Sequence, residues 1–252
     1  MKTISIANFK GGTGKTDAAC NLSALLAREK NRVLLIDADA QHNASDFFSV
    51  DPDVSTLADV LEGTCEPFWS DVVIESGREN LWILPADMRL LTLDLRSILY
   101  GNGEAYRRFT DFIDHFGQDD AFDYVIIDCP PSFTAASVAA LGNSDEVILP
   151  TMLDAFSIAG VREMIEQARS IRRAVAPLRF RVLITMADRS RLSRQGEELL
   201  RGSGMEVFKT VIHSSVAVRE ARFAKQPLFE YAPTARPAQD YEALLQEVLG
   251  DE

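Results

Sequence analysis

A glycine-rich loop between an apolar strand and a helix is the feature that most limits what this chain can fold into. The loop Lys10-Gly11-Gly12-Thr13-Gly14-Lys15-Thr16 follows the apolar run Thr3 to Ala7 and leads directly into a helical pattern. Glycines here let successive backbone N–H groups point at phosphate oxygens, and the helix N-terminus adds a favourable dipole. The loop therefore predicts a strand–loop–helix unit that binds a nucleotide through its phosphates.

The side chains of this loop have distinct expected roles. Lys15 is placed to reach the β- and γ-phosphates, and the Thr16 hydroxyl is placed to bind Mg²⁺. An ordinary phosphate loop has a further glycine at the position of Phe9, whereas this chain gains a second lysine, Lys10. The remaining expected phosphate contacts come from Gly11, Gly12, Thr13 and Gly14.

Apolar strand-like runs alternate with helical patterns along the whole chain. Expected strands are Thr3 to Ala7, Arg32 to Asp37, Leu81 to Pro85, Tyr124 to Asp128, Glu146 to Pro150, Arg181 to Met186 and Val207 to Ile212. Expected helices are Lys15 to Glu29, Arg89 to Tyr100, Ala105 to Phe116, Ser132 to Gly142, Ile158 to Val175, Arg191 to Arg201 and Ala238 to Leu249.

The composition of these runs indicates the fold class. The strands are continuous Val/Ile/Leu runs, as in parallel strands covered on both faces by helices. They predict an α/β fold with a doubly wound, mostly parallel sheet, as one domain over residues 1–252. The stretch from Val50 to Asp123 is the least regular part, and we expect it to decorate the sheet edge.

Carboxylates follow two of the expected strands. Asp37 and Asp39 end the second strand, and their i, i+2 spacing directs both to the crevice where open α/β sheets bind ligands. Asp128 ends a buried hydrophobic strand and is expected to hold a magnesium-bound water near Thr16. These residues predict the metal and water side of the nucleotide site.

Charge and cysteine content exclude several other classes of protein. The apolar runs are far shorter than the ~20 residues of a membrane span, and the N-terminus enters a strand without a secretion signal. Cys20, Cys65 and Cys129 lack metal-site spacing, so we expect a reducing cytoplasm. The net charge of −12 disfavours nucleic acid, but residues 160–236 alone carry +7 and the remainder −19.

The phosphate loop resembles the deviant Walker A motif of the ParA/Soj and MinD partition and positioning ATPases. The resemblance implies that Lys10 reaches across a dimer to the partner's nucleotide and that ATP closes a sandwich homodimer. The segment from Asp37 to Asn43 resembles the family's Asp-x-Asp-Pro-Gln-x-Asn motif, which implies that Asp39 positions the attacking water and Asp37 supports the Mg²⁺ shell. Val125 to Pro131 resembles the family's Asp-Cys-Pro-Pro segment.

Two residues depart from the family pattern inside these motifs. The family usually has a second threonine after Thr16, where this chain has Asp17, and a proline where it has Ala40. A carboxylate at position 17 is favoured by the helix dipole but repels a nearby phosphate, or it is a surface residue turned away from the nucleotide. We expect weakened or retuned nucleotide affinity.

The resemblance extends over essentially the whole chain. It implies that Met186 to Asp188 and Ile212 to Val216 border the adenine, which makes Met186, Asp188, Ile212 and His213 candidate base contacts. ParA relatives bind DNA non-specifically through arginines late in the chain. Candidate DNA contacts here are Arg189, Arg191, Arg194, Arg219, Arg222 and Lys225, the last three at a spacing that a helix would place along one side.

The resulting expectation is a cytoplasmic, nucleoid-associated ATPase. It would dimerise with ATP, bind DNA and hydrolyse ATP when a ParB-like partner or cargo adaptor stimulates it, with a plasmid, a chromosome or a protein assembly as cargo. A MinD-type membrane-positioning ATPase is the main alternative, but it requires a basic amphipathic C-terminal helix and this C-terminus is acidic. An iron–sulfur protein and a metabolic P-loop ligase lack supporting motifs.

Overall fold

The computed structural model describes residues 1–51, 53–65, 69–100, 103–118, 120–154, 157–171 and 178–250. Eight strands form one sheet in the order β3-β4-β2-β5-β1-β6-β7-β8, and every neighbouring pair is parallel except β3 with β4. The strands are β1 Lys2–Ile6, β2 Val33–Asp37, β3 Ile74–Arg78, β4 Leu81–Leu84, β5 Tyr124–Asp128, β6 Glu146–Met152, β7 Arg179–Ala187 and β8 Val207–His213.

Helices cover both faces of this sheet, as the apolar runs predicted. Leu34 and Ile36 pack into the core on one face, while Val33 and Leu35 pack into the core on the other. Because side chains alternate along a strand, a run that is apolar at every position is stable only when both faces are buried. The predicted doubly wound, mostly parallel α/β fold is confirmed.

The seven expected helices are present within a few residues at most ends. The helices are α1 Lys15–Arg28, α2 Asn43–Phe47, α3 Leu57–Glu62, α4 Arg89–Tyr100, α5 Glu104–Gln118, α6 Ala135–Gly142, α7 Ser157–Ile171, α8 Arg191–Arg201, α9 Val216–Phe223, α10 Leu228–Tyr231 and α11 Arg236–Leu249, with a 3-10 turn at Trp69–Val72. Of these, α2, α3, α9 and α10 were not expected. The helix expected over Ile158 to Val175 is described as far as Ile171, and its last four positions lie outside the described residues.

The stretch from Val50 to Asp123 is more regular than we expected. The elements β4, α4 and α5 lie where they were expected, and β3 and α3 are additional. Leu57, Phe109 and Phe112 are fully buried in the core beside β2 and β5. The strand β3 was missed because it is short and partly exposed, and Ile74 is its only apolar residue apart from Gly77. It therefore has no helical, alternating or continuous apolar pattern that sequence reasoning could detect, unlike its partner β4.

The carboxyl ends of β1, β2 and β5 meet at one edge of the sheet, with the phosphate loop directly after β1. This is the edge at which open α/β sheets bind ligands. Among the described residues, no helix is both long enough and apolar enough to cross a membrane.

Candidate nucleotide site

The phosphate loop has the backbone that a phosphate cradle requires. Gly12 and Gly14 have φ values of 74° and 86°, in the left-handed region that glycine occupies without strain. Gly14 is the residue before α1, and no side chain caps this helix terminus. The first N–H groups of α1 are therefore directed at the space in front of the loop, where an anion is stabilised by the helix dipole.

Neighbouring strands hold the loop in place. The Asn8 side chain donates to the Pro150 carbonyl at 2.7 Å and accepts the Lys10 backbone N–H at 3.0 Å, which connects the start of the loop to β6. The Thr185 hydroxyl donates to the Thr13 carbonyl at 2.8 Å. Thr13 is buried, with 1% of its surface exposed, and it is not among the residues that line the cleft in front of the loop.

Lys15 is buried at the base of the loop with 7% of its surface exposed, and its Nζ lies 3.3 Å from the Lys10 carbonyl. Burial lowers the pKa of this amine, while the carboxylates of Asp128 and Asp39 act in the opposite direction. A cation held beneath a glycine-rich loop is positioned to neutralise phosphate charge.

Asp128 carries an unsatisfied buried carboxylate. It is 1% exposed, and neither side-chain oxygen has a partner at ordinary hydrogen-bond geometry among the described residues, although the neighbouring Thr16 hydroxyl favours its charged form. Burial and the charge of Asp37 raise the pKa of the Asp128 carboxyl well above its usual range. Asp37 and Asp128 are register partners on adjacent strands, so two acidic groups face each other. Burying two neighbouring acidic groups costs free energy, and a bound cation would offset that cost. The arrangement is therefore typical of residues that bind or support a cation.

The carboxylates fit magnesium in its usual protein environment. No group of three or more His, Cys, Asp or Glu side chains suited to a metal occurs in the described part of the chain. Mg²⁺ is generally held by one or two carboxylates together with substrate phosphates and water, so a full protein cage is not required. Thr16 and Asp128 would contribute the protein side of such a site.

Asp37 organises the loop that carries Asp39. Its Oδ2 accepts both the backbone N–H and the hydroxyl of Ser45, at 2.9 and 2.7 Å, and its Oδ1 accepts the Asp39 N–H at 3.2 Å. Burial raises the pKa of Asp37 to about 6. Asp39 in turn accepts the Gln41 N–H at 3.0 Å and faces the cleft in front of the phosphate loop. Asp37 therefore positions the loop of Asp39 by direct hydrogen bonds.

Two connected cavities lie along the loop. The first, with a volume of about 370 Å³, is lined by Gly11, Gly12, Gly14, Lys15, Thr16, Asp17, Asp39, Asn43, Asp46, Phe47, Pro131, Met186, Arg222 and Lys225. The second, of about 550 Å³, lies between β7, β8 and α9 and has Met186, Ile212 and His213 in its wall. Gly14, Asp17, Met186 and Arg222 line both cavities.

Three of the four candidate base contacts come together in the second cavity. Met186, Ile212 and His213 line it, and the His213 Nδ1 lies 2.8 Å from Asp240. Asp188 does not line either cavity. It is exposed, and its Oδ1 accepts the Ser190 N–H at 2.9 Å.

Asp17 is not a surface residue turned away from the site, as one of our two interpretations supposed. It is 5% exposed and forms a two-point ion pair with Arg222, with N–O distances of 3.1 and 2.5 Å. The pair connects the first turn of α1 to α9 across the cavities.

Lys10 does not line the cleft of its own chain among the residues described there. Its Nζ forms an ion pair with Asp154, beyond the end of β6, and about half of the lysine side chain is exposed. The second lysine of the loop therefore faces away from the Lys15 position.

Comparison with known proteins places this geometry in a family. A sequence-family model described as an AAA domain matches residues 1–179. The chain is 33% identical to the sporulation initiation inhibitor protein Soj of Bacillus subtilis over 256 residues, covering 99% of each protein. The chain belongs to the ParA/Soj family of P-loop ATPases.

Further relatives agree with this membership. The chromosome partitioning protein ParA of Caulobacter vibrioides is 33% identical over 261 residues, covering all of this chain and 95% of that protein. A solved ATP complex of McdA from Cyanothece superposes with a TM-score of 0.84 at 25% identity, covering 99% of this chain and 96% of that chain. The predicted resemblance to ParA/Soj proteins is confirmed over the full length.

The basic residues that the family resemblance suggested as DNA contacts are differently placed. Arg189, Arg191, Arg194 and Arg219 are exposed, and none forms an ion pair within the part of the chain that the structure describes. Arg222 is paired with Asp17 in the nucleotide cavities. Lys225 follows the end of α9 with a φ of 55°, so the expectation that it continues one helical side with Arg219 and Arg222 is wrong.

Sequence reasoning missed several residues of this ParA/Soj site. Ser45 positions Asp37, Asn8 positions the loop, and Asp154 pairs with Lys10. Asn8 could have been noticed because it lies between β1 and the loop, two residues before Lys10. Asp154 and Ser45 carry no local signal, since each reaches its partner only through the tertiary fold.

Proposed function

We propose that this chain is a Mg²⁺-dependent ParA-type ATPase that forms an ATP-sandwich homodimer and binds DNA non-specifically. Hydrolysis, stimulated by a ParB-like partner or cargo adaptor, would release it, and the cycle would segregate plasmid or chromosome DNA. The observation that carries the proposal is the convergence of Lys15, Asp39 and Asp128 on one glycine-rich loop. The chromosome-partitioning relative in Caulobacter supports DNA as the cargo.

The chemistry asked of the protein is mainly positioning and charge stabilisation. Lys15 and the N–H groups of α1 would bind the phosphates, and Asp39 would orient the attacking water from the rim of the cleft. Bound Mg²⁺ would neutralise part of the phosphate charge. A site in which one carboxylate orients water is consistent with slow hydrolysis that awaits a stimulating partner.

The position of Lys10 supports a role in a dimer. Its amine is directed away from the cleft of its own chain and is held by Asp154 at an exposed site. An exposed ion pair contributes little free energy, in the range of about 0–1 kcal/mol, so exchange of Asp154 for a partner's phosphate is energetically accessible. This fits the in-trans role that the family resemblance implies.

The start of α8 supports the DNA surface. Its first turn has Arg191 and Arg194 and no acidic residue, which is the reverse of what the helix dipole favours. Arg189 and Arg194 line a cavity that also contains His213, and His213 lines the cavity beside Arg219. The basic residues of α8 and α9 thus lie along one edge of the sheet, suited to successive phosphates of a duplex.

The C-terminal helix disfavours a MinD-type membrane role. The apolar side chains of α11, Tyr241, Leu244, Leu245 and Val248, are buried against the core. A helix that binds a membrane must present its apolar face to lipid, and this face is already covered. Its acidic residues would also be repelled by anionic headgroups.

The test is DNA binding as a function of nucleotide. Fluorescence anisotropy with a labelled random-sequence duplex should give binding with ATP, but not with ADP or without nucleotide, and the affinity should fall steeply with salt. Lys15→Ala should abolish binding, and Asp39→Ala should prolong it because the ATP state persists. Reversing either Arg191 or Arg194 singly to Glu should weaken it, whereas Arg107→Glu on the exposed face of α5 serves as a charge-matched control.

Specific results would contradict this function. Equal DNA binding in all nucleotide states would remove ATP from the mechanism. Loss of DNA binding in Asp39→Ala with ATP still bound would contradict the hydrolysis-driven release. Flotation of the ATP form with anionic liposomes would favour the membrane alternative instead.

A further inference from the structure

The ion pair of Asp17 and Arg222 is the feature of the site that the proposed function leaves unexplained. Asp17 lies in the first turn of α1, directly after Thr16, with 5% of its surface exposed. Arg222 lies on α9, and its side chain remains 54% exposed although two of its nitrogens contact Asp17. One partner is therefore buried, and the other is accessible from the cavities.

The pair lies where the two cavities join. Both residues line the cleft of the phosphate loop and also the second cavity between β7, β8 and α9. A nucleotide with its terminal phosphates on the loop and its base in the second cavity must pass through this junction. The part of the nucleotide that passes there is the phosphate attached to the nucleoside.

A carboxylate alone would be unfavourable at this junction. Asp17 is buried, and a phosphate within a few ångströms would be repelled by it. Arg222 neutralises that charge through Nε and Nη2, and its Nη1 forms no hydrogen bond to another described residue. A guanidinium has five N–H donors in a planar fork that binds carboxylate and phosphate equally well. Asp17 can thus orient Arg222 while leaving donors free for a ligand.

We propose that Arg222 is a nucleotide ligand, oriented by Asp17, that contacts the phosphate next to the nucleoside. The inference rests on the proposed function, because it requires a nucleotide in this cleft. It also reassigns Arg222, which the sequence suggested as a DNA contact. Arg222 could have two other roles, and the experiment below distinguishes them: a purely structural ion pair that joins α1 to α9, or a contact to DNA.

The experiment separates Arg222 from Asp17 by removing the carboxylate first. ADP binding is measured by isothermal titration calorimetry with Mg²⁺, because ADP has the relevant phosphate and is not hydrolysed. Asp17→Thr should bind ADP at least as tightly as wild type. Asp17→Thr/Arg222→Gln should bind roughly tenfold or more weakly than Asp17→Thr, the loss expected for one charge-assisted hydrogen bond.

The thermal midpoint of the nucleotide-free protein distinguishes a ligand from a structural tie. No ion pair exists at this position in either Asp17→Thr background, so the two midpoints should agree. Arg222→Met in the same background preserves the aliphatic stem and serves if Gln disturbs α9. Arg107→Gln, on the exposed face of α5, is the matched control for loss of one positive charge.

Each outcome bears on the inference. Equal ADP affinity of Asp17→Thr and Asp17→Thr/Arg222→Gln would overturn it, and a concurrent loss of ATP-dependent DNA binding would assign Arg222 to DNA. If Asp17→Thr/Arg222→Gln binds ADP more weakly than Asp17→Thr and its nucleotide-free thermal midpoint is also clearly lower, Arg222 has only a structural role in joining α1 to α9. Failure of wild type to bind either ADP or ATP would instead refute the proposed function.

Discussion

The most informative stability measurement concerns Asp128→Asn. Asp37 and Asp128 are register partners on adjacent strands, and strand neighbours are separated by ~4.8 Å. Two full charges at that separation repel by about 3 kcal/mol at an effective dielectric constant of ~20. Burial raises the pKa of both carboxyls, so the pair is only partly charged at neutral pH. We expect the amide to increase the free energy of unfolding of the metal-free protein by about 1–3 kcal/mol.

The pH dependence has a definite sign. A carboxyl whose pKa is higher in the folded than in the unfolded protein opposes folding once it must ionise. Wild-type stability contributed by Asp37 is therefore intact below its unfolded pKa and is lost as the pH rises through about 6. The decline near pH 6 should persist in Asp128→Asn, because burial of Asp37 causes it. Any further decline at higher pH, from ionisation of Asp128 beside Asp37, should be absent in the variant.

The assay is urea denaturation in EDTA between pH 4 and pH 8, repeated with Mg²⁺ and ADP. The wild type should gain stability from the ligands by mass action, and Asp128→Asn should gain less because a metal-supporting carboxylate is missing. Asp111→Asn on the exposed face of α5 is the control and should change stability by less than ~0.5 kcal/mol. A metal-free variant that is less stable than wild type would refute the reasoning.

Three further outcomes follow from buried or paired groups. Lys15→Ala should weaken ATP binding about a hundredfold, which corresponds to about 2.8 kcal/mol of binding free energy. Calorimetry measures this, and an unchanged affinity would show that Lys15 does not contact the nucleotide. The bond from Arg89 holds the pKa of Asp59 at about 2, so Arg89→Ala should lose stability above pH 4 but not near pH 2. The Arg89 side chain is 45% exposed, so solvent screens the pair and we expect a loss of about 1 kcal/mol by denaturation. Phe112→Ala should lose about 3–5 kcal/mol, and a loss under ~1 kcal/mol would contradict its burial at 0% exposure.

The phosphate site was predictable because its parts are local in sequence. Lys15 and Thr16 follow β1 within one loop, and Asp39 and Asp128 follow strands whose apolar runs were readable. In a parallel sheet, the carboxyl ends of all strands lie at the same edge. Residues that follow the strands are therefore expected at that edge even when the order of the strands is unknown. Family resemblance then supplied roles, but not contacts, for Lys10 and Asp39.

The sequence by itself determined the fold class, the phosphate loop and the acidic residues at the strand ends. These features depend on hydrophobic periodicity and on residue types within a few neighbouring positions, which the sequence shows directly. Only the tertiary structure decided the environment of Asp17, which pairs with a residue 205 positions away. It also decided that Lys10 is held by Asp154 and that β3 completes the sheet edge. Such contacts depend on packing between distant elements, and a buried charge has no sequence signal until its partner is known.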